Sequence, residues 1–217
     1  MATPAPSPSA PVDTVIFDLG NVLIPWDRRF LYEKLIDDRD ELDRFLDDVL
    51  TLDANADLDR GTPLPEVVAG LIELHPDHAD LLQAFADRWI ETVGPAIEGS
   101  VRLLERLVAA GVPCYALSNF GRDTFEQTEG RFPFLDRFEG RLISGYEGVV
   151  KPEPEIFHLL CRRFGLRAER SLFIDDSAAN VAAARDLGFA VHHFADPEAL
   201  EADLVARALL PATAERA

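Results

Sequence analysis

The chain is constrained most by a short apolar run that stops on a charge, Thr14-Val15-Ile16-Phe17 followed by Asp18. β-Branched and aromatic residues without polar alternation describe a strand buried on both faces, the kind found where helices cover both sides of a parallel sheet. In open α/β sheets the ligand crevice lies beyond the carboxyl ends of the strands, so an acid that ends such a strand points into the expected site. Gly20 lets the backbone bend just after it, and Asn21 tolerates unusual dihedrals. Taken alone, these residues also describe an ordinary strand and turn.

Further strands are expected at Pro113 to Leu117, Arg141 to Ser144, Ser171 to Ile174 and Ala190 to Phe194. Helices alternate with them: Val101 to Ala110, with Gly111 at its C-terminal cap, then Arg122 to Glu129, Glu153 to Phe164, Ser177 to Leu187 and Pro197 to Leu209. Asp196 stands where an N-cap belongs and Pro197 at the first helical position. Strict alternation of this kind predicts an α/β fold with a doubly wound, parallel, Rossmann-like sheet.

The first crossover is anomalous. Roughly 95 residues separate the first two strands, where a crossover needs only a dozen or so. The surplus reads as helix: Leu42, Phe45, Leu46 and Val49 form one stripe, Leu64, Val67, Val68, Leu71 and Ile72 a second, and Leu82, Phe85 and Trp89 a third. Asp53 to Pro63, polar and turn-rich, reads as a loop between them. The expected organisation is therefore a tail at 1–11, a core from 12–25 and 96–210, an inserted helical domain at 26–95, and a flexible terminus at 211–217. The insertion leaves right after the Asp18 strand, so it overhangs that strand's carboxyl end.

Composition sets outer limits. A chain of 217 residues holds one sizeable core with an insertion. Its net charge of −18 argues against nucleic-acid or anionic-membrane partners and means that an anionic ligand needs local help. Cys114 and Cys161 lie in apolar surroundings and read as buried free thiols. The first eleven residues lack the basic and apolar regions of a signal peptide, and no apolar run approaches membrane-spanning length, so a cytoplasmic location is expected. None of His75, His78, His158, His192 and His193 forms a metal-ligand spacing.

Polar residues gather where the strands end. Ser118 and Asn119 follow the second strand and, with a helix starting a few residues on, suit an anion, although Ser-Asn is also a common turn pair. Lys151 precedes a helix start, where its charge opposes the helix dipole but is well placed to neutralise a phosphate or pair with a carboxylate. It is one of only two lysines in a chain rich in arginine. Asp175 and Asp176 follow the fourth strand, and adjacent carboxylates repel unless a cation or protons compensate. Mg²⁺ accepts such partial carboxylate ligation, whereas helix capping explains one of the two acids. Asn180, one turn on, is available to a ligand or to solvent.

The order FDLGNVL, LSN, KPEPEIF and FIDDSAANVAAARDLG, over about Thr14 to Ala195, resembles the haloacid dehalogenase superfamily, most of whose members are Mg²⁺-dependent phosphatases. The resemblance implies that Asp18 attacks phosphorus, that Ser118 and Asn119, with Asn21, hold phosphate oxygens, and that Lys151 offsets charge. It also implies that Asp18, the carbonyl of Gly20 and Asp176 ligate Mg²⁺, with Asp175 direct or through water. The insertion resembles the family's helical C1-type cap, whose Asp59-Arg60-Gly61 segment reads the substrate, with Arg60, Trp26 and Asp27 as candidate contacts. The partner implied is a small phosphorylated metabolite, a sugar phosphate among the options.

One departure stands out. Most family phosphatases carry a second Asp two residues after the nucleophile as general acid and base, and here that position is Gly20. The loss resembles a phosphatase subgroup with a DLGN motif and also the dehalogenases, which attack carbon without metal. Paired Asp175 and Asp176 favour the phosphatase. A dehalogenase and a catalytically weak phospho-ligand binder stay open as alternatives. Asp27, on the way into the insertion, reads first as the N-cap of the first inserted helix, and it or a water is a candidate substitute for the missing acid.

Overall fold

The computed structural model describes residues 11–211. In chain order it comprises β1 (Thr14–Phe17), α1 (Arg29–Tyr32), α2 (Arg39–Arg44), α3 (Leu52–Asp59), α4 (Leu64–Leu74), α5 (Ala79–Arg88), α6 (Glu98–Ala109), β2 (Cys114–Ser118), α7 (Arg122–Thr128), β3 (Gly140–Ile143), α8 (Ser144–Glu147), α9 (Pro154–Phe164), β4 (Ser171–Asp175), α10 (Ala178–Asp186), β5 (Ala190–His193) and α11 (Pro197–Ala206). The strands form one sheet in the order β3-β2-β1-β4-β5, every pair parallel. The Asp18 strand is therefore central, as its apolar run requires.

Successive strand side chains point to opposite faces, and here each face meets its own core. Val15, Phe17, Cys114, Ala116, Leu172 and Ile174 join one apolar cluster, with Leu104 and Leu107 of α6 and Leu200 of α11. Ile16, Tyr115, Leu117 and Phe173 join the other, with Ile156, Phe157 and Leu160 of α9. Helices thus cover both faces, which is why these strands read as unbroken apolar runs. Asp196 caps α11 as expected, accepting a bond from Ala199 N at 2.7 Å. Gly111 ends α6 with φ of +76°.

The helical excursion between β1 and α6 leaves and returns through adjacent segments. Asp27 N donates to Thr92 O at 3.0 Å, Gly94 N to Pro25 O at 2.9 Å and Ile97 N to Leu23 O at 2.9 Å. After α2 the backbone widens into a π-helical turn at Phe45–Val49. Its last carbonyls are held by the Arg28 guanidinium, which bonds Leu46 O and Leu50 O.

Three sequence expectations need correction. Asp53 to Pro63 is not all loop, because α3 occupies Leu52–Asp59 and only the last four residues turn. Its polar composition misled because, of the described side chains of α3, Leu58 alone is deeply buried while Asn55 and Asp59, one turn apart, face a cavity instead of an apolar core. Cys161 is only partly buried, unlike Cys114. Asn180 is neither solvated nor free, being buried against Asp175. The tail at 1–11 and the flexible terminus at 211–217 fall outside the described residues except for their inner ends, Pro11 and Pro211, both exposed. Among the described residues no helix is long and apolar enough to cross a membrane.

The excursion meets the core through glycine. Gly61 adopts φ of +98°, and a β-carbon there would lie 2.5 Å from the carbonyl oxygen of Gly145 in α8. Gly61→Ala is therefore expected to cost about 2 kcal/mol or more by urea denaturation, combining backbone strain with a backbone clash. Gly70→Ala, in the interior of α4 with nothing within 4 Å of the new methyl, should stabilise by about 1 kcal/mol in the same assay.

Candidate active site

Asp18 follows β1 directly, and its backbone N–H continues the ladder by donating to Ile174 O at 2.8 Å. Beyond it the chain doubles back in a tight turn, with Asn21 at φ of +52° and Ile24 N returning to Leu19 O at 2.8 Å. Asn21 spends its side chain on this turn: its oxygen accepts from Trp26 N at 3.0 Å, and its amide bonds Asp176. Asp18 Oδ1 accepts from Leu19 N at 2.7 Å and from Lys151 Nζ at 2.9 Å. Its Oδ2 takes no part in these bonds.

Lys151 is the hub. Its ammonium has no exposed side-chain surface and bonds Asp18 Oδ1 at 2.9 Å, Asp175 Oδ2 at 2.7 Å and Leu117 O at 2.9 Å, which uses all its donors. It lies well beyond the end of β3, carried into place by α8 and the turn after it. Asn119 fixes that turn by donating to Lys151 O at 2.9 Å and accepting from Lys151 N at 2.8 Å. The side chain expected to hold phosphate thus positions the lysine, and it also lines the cavity above Asp18.

Asp175 is fully buried and saturated. Oδ1 accepts from Ser177 N at 2.8 Å and Asn180 Nδ2 at 3.0 Å, and Oδ2 accepts from Lys151. Ser177, not either acid, caps α10. Asp176 is more open, and His193 Nε2 lies 2.9 Å from its carbonyl oxygen, a contact that needs the proton on that nitrogen. His192 pairs with Asp203 Oδ2 at 3.0 Å, an acid partner that sequence reading did not identify.

Carboxylate oxygens of Asp18, Asp175 and Asp176 come within 4.8 Å of one another. A single ammonium faces three acids, and two of them, Asp18 and Asp176, are shifted. Burial pushes the Asp18 carboxyl up to about 7, with Asp175 and Asp176 adding to the rise against the pull of Lys151. Asp176 is raised as well, by burial and then by Asp175. Burial alone would lower Lys151, but Asp18 and Asp175 carry it above the ordinary lysine range. Hard oxygen donors with excess negative charge, on one side of a fixed ammonium, fit Mg²⁺. Asp18 and Asp176, with the adjoining backbone of Gly20, are the groups that would hold it.

These residues floor a cavity of about 180 Å³ that lies between the sheet's carboxyl edge and the helical excursion. Trp26, Trp89 and Phe120 give it aromatic walls, and Asn55 and Asp59 of α3 face it from the excursion. Among the described residues four buried side-chain polar atoms have no partner, and two of them belong to this region, Trp89 Nε1 in the cavity wall and Ser118 Oγ at the end of β2. Burial pushes the Asp59 carboxyl up to about 7 against opposing pulls from Lys151 and from the Asn55 amide, 3.4 Å away.

Of the three substrate contacts expected in the excursion, only Trp26 lines the cavity. Arg60 is half exposed and forms an ion pair with Glu153, because it follows the end of α3 and turns outward. Asp27 accepts from Arg29 N at 2.8 Å and starts α1, so its role is capping. Asn55, Trp89 and Phe120 were missed as site residues. The i, i+4 spacing of Asn55 and Asp59 was a legible signal, hidden by reading that stretch as loop.

A family model described as haloacid dehalogenase-like hydrolase matches residues 12–188. Sesquiterpene phosphatase astK of Aspergillus oryzae is 31% identical over 94 residues, 43% of this chain and 48% of that protein. The 6-phosphogluconate phosphatase of Escherichia coli is 31% identical over 104 residues, 47% of this chain and 46% of that protein. The chain spans about half the length of the curated relatives it matches. Among solved structures, a HAD family hydrolase of Deinococcus radiodurans with bound phosphate and sodium superposes with a TM-score of 0.65 at 25% identity, covering 94% of this chain and 100% of that one. A HAD family enzyme of Bacteroides thetaiotaomicron, in complex with magnesium and inorganic phosphate, shares the fold with a TM-score of 0.65 at 24% identity, covering 85% and 95%.

Two expectations follow from the charges. Lys151→Met leaves Asp18 and Asp175 buried without their cation and should cost about 3–5 kcal/mol of stability in urea unfolding. Asp59 is protonated more readily in the folded chain, at about 7, than at its ordinary value of 3.8. Its stabilising share is then complete below 3.8 and is lost as pH rises through 7. Melting temperatures measured in a chelator should therefore decline less steeply between those limits for Asp59→Asn than for the wild type.

Proposed function

The chain belongs to the haloacid dehalogenase-like hydrolases, and within that family we propose that it is a Mg²⁺-dependent phosphatase of a small phosphorylated metabolite. The observation that carries this reading is Asp18. One of its oxygens is pinned by Lys151 and Leu19 N while the other is uncommitted, at the floor of a cavity beside Asp176.

In the first half-reaction the Asp18 carboxylate attacks phosphorus in line with the leaving oxygen and forms an aspartyl-phosphate. The unpartnered Ser118 hydroxyl at the adjacent strand end is the donor for a phosphoryl oxygen. Lys151 keeps Asp18 oriented and offsets the charge that gathers on the transferring group. A bound Mg²⁺ supplies the remaining positive charge. In the second half-reaction water attacks the same phosphorus, the bond from phosphorus to the Asp18 oxygen breaks, and inorganic phosphate leaves with the Asp18 carboxylate restored. Asn119 contributes by fixing Lys151, and the helical excursion serves as the lid that limits water.

Phosphatase activity among the curated relatives and bound phosphate in the Deinococcus structure support this choice. Asp175 and Asp176 support it over attack on carbon, which has no use for a cation site. The DLGN signature and the helices inserted at 26–95 support placement with the DLGN phosphatases that carry a helical C1-type cap. Trp26, Trp89 and Phe120 offer apolar faces, and the free Trp89 indole N–H seeks an acceptor, a combination suited to a small hydroxylated substrate such as a sugar phosphate.

The test is phosphate release across sugar, acyl and nucleotide phosphates, with magnesium and with chelator. Release should require magnesium and fall by at least a hundredfold in Asp18→Asn. Activity that survives in that variant, or halide release from a haloacid without metal, would overturn the assignment.

A further inference from the structure

Phosphate monoesters of ordinary alcohols leave slowly unless a proton reaches the departing oxygen. Three carboxyls line the cavity: Asp18, Asp176 and Asp59. Asp18 is the attacking group, and Asp176 belongs to the cluster that fits a cation. Gly20 carries no side chain, and a β-carbon placed there would have nothing within 4 Å, so the floor of the site has an open space and no acid to fill it. Asp59 faces the cavity from the opposite wall.

We propose that Asp59 is the proton carrier of the reaction, acting on the leaving group from the helical excursion. The inference rests on the phosphatase reading above. When Asp18 attacks, the bond from phosphorus to the leaving oxygen breaks, and the Asp59 carboxylic acid gives its proton to that oxygen, releasing a neutral alcohol. The Asp59 carboxylate then takes a proton from the incoming water as it attacks phosphorus. The bond to Asp18 breaks, inorganic phosphate leaves, and Asp59 is protonated again.

The geometry favours Asp59 over every other group on the cavity wall. Among the described residues it makes no ion pair, and its one side-chain hydrogen bond is the long contact of 3.4 Å from Asn55. A carboxyl so lightly held exchanges its proton with a ligand instead of with protein. Its burial keeps it near 7, so acid and base forms are both present at neutral pH. It is also well anchored: Leu58 beside it is 2% exposed, and Gly61 just beyond is seated against Gly145. Asp27 caps α1 away from the cavity. Asn55, Trp26 and Trp89 have no transferable proton.

The experiment compares wild type, Asp59→Asn and Asp59→Asn/Gly20→Asp as full chains with magnesium, using an alkyl phosphate and p-nitrophenyl phosphate. Asp59→Asn should lose about a hundredfold or more on the alkyl ester. On p-nitrophenyl phosphate, whose leaving group needs no proton, it should retain rapid release of one nitrophenolate per chain, followed by slow turnover, and acid quenching should trap phosphate on Asp18. The double variant should recover at least tenfold on the alkyl ester. Equal losses in the rate of the first turnover on both esters, no burst, or no loss at all would overturn the role of Asp59 while wild-type turnover left the phosphatase reading standing. A wild type that neither turns over any monoester nor accepts phosphate on Asp18 would overturn both.

Discussion

The site is built around one buried ammonium. Lys151 touches the C-terminal ends of three neighbouring strands at once, through Asp18 after β1, Leu117 O in β2 and Asp175 in β4. A lysine without solvent is stable only if its charge and all its donors are matched, and these contacts match them. The surrounding structure serves this arrangement. Asn119 locks the Lys151 backbone, and Ser177 N and Asn180 satisfy Oδ1 of Asp175, the oxygen that the lysine does not reach.

That hub leaves the site anionic. Burial first, and then the neighbouring carboxylates, raise the pKa values of Asp18 and Asp176, a cost for a resting protein that the divalent cation of the proposed reaction would offset. The chain's overall charge of −18 adds no attraction for an anionic substrate, so recognition depends on local elements. Those are the orphaned Ser118 hydroxyl, the Trp89 indole and the cation site.

Opposite the hub stands a wall of different origin. The excursion delivers Asn55 and Asp59 from α3 and Trp89 from the turn after α5, while Trp26 comes from the outgoing segment. The outgoing and returning segments bond each other at Asp27, Thr92, Pro25 and Gly94, which sets where this wall stands relative to Asp18. A proton carrier mounted on the wall answers the absence of a side chain at Gly20, and it links leaving-group chemistry to the position of the helices over the site.

Much of this was legible before any coordinates. Apolar runs at β1, β2 and β4 specify strands buried on both faces, because only a sheet covered twice makes use of such residues, and their alternation with amphipathic helices specifies the parallel order. The acids ending β1 and β4 could be assigned to a site for the same reason: a charge at the end of a buried strand has no other place to go. What the sequence could not convey was which polar side chains are consumed by structure. Asn119 and Asn21 line the cavity and also hold Lys151, Trp26 and Asp176, while Arg60 is paired with Glu153. Asp59 looked like part of a loop because a helix whose polar face lines an internal cavity has the composition of a surface turn. Hydrogen-bond partners and burial come from residues distant in the chain, so the tertiary structure alone decided which acids are committed to protein partners and which one is lightly held.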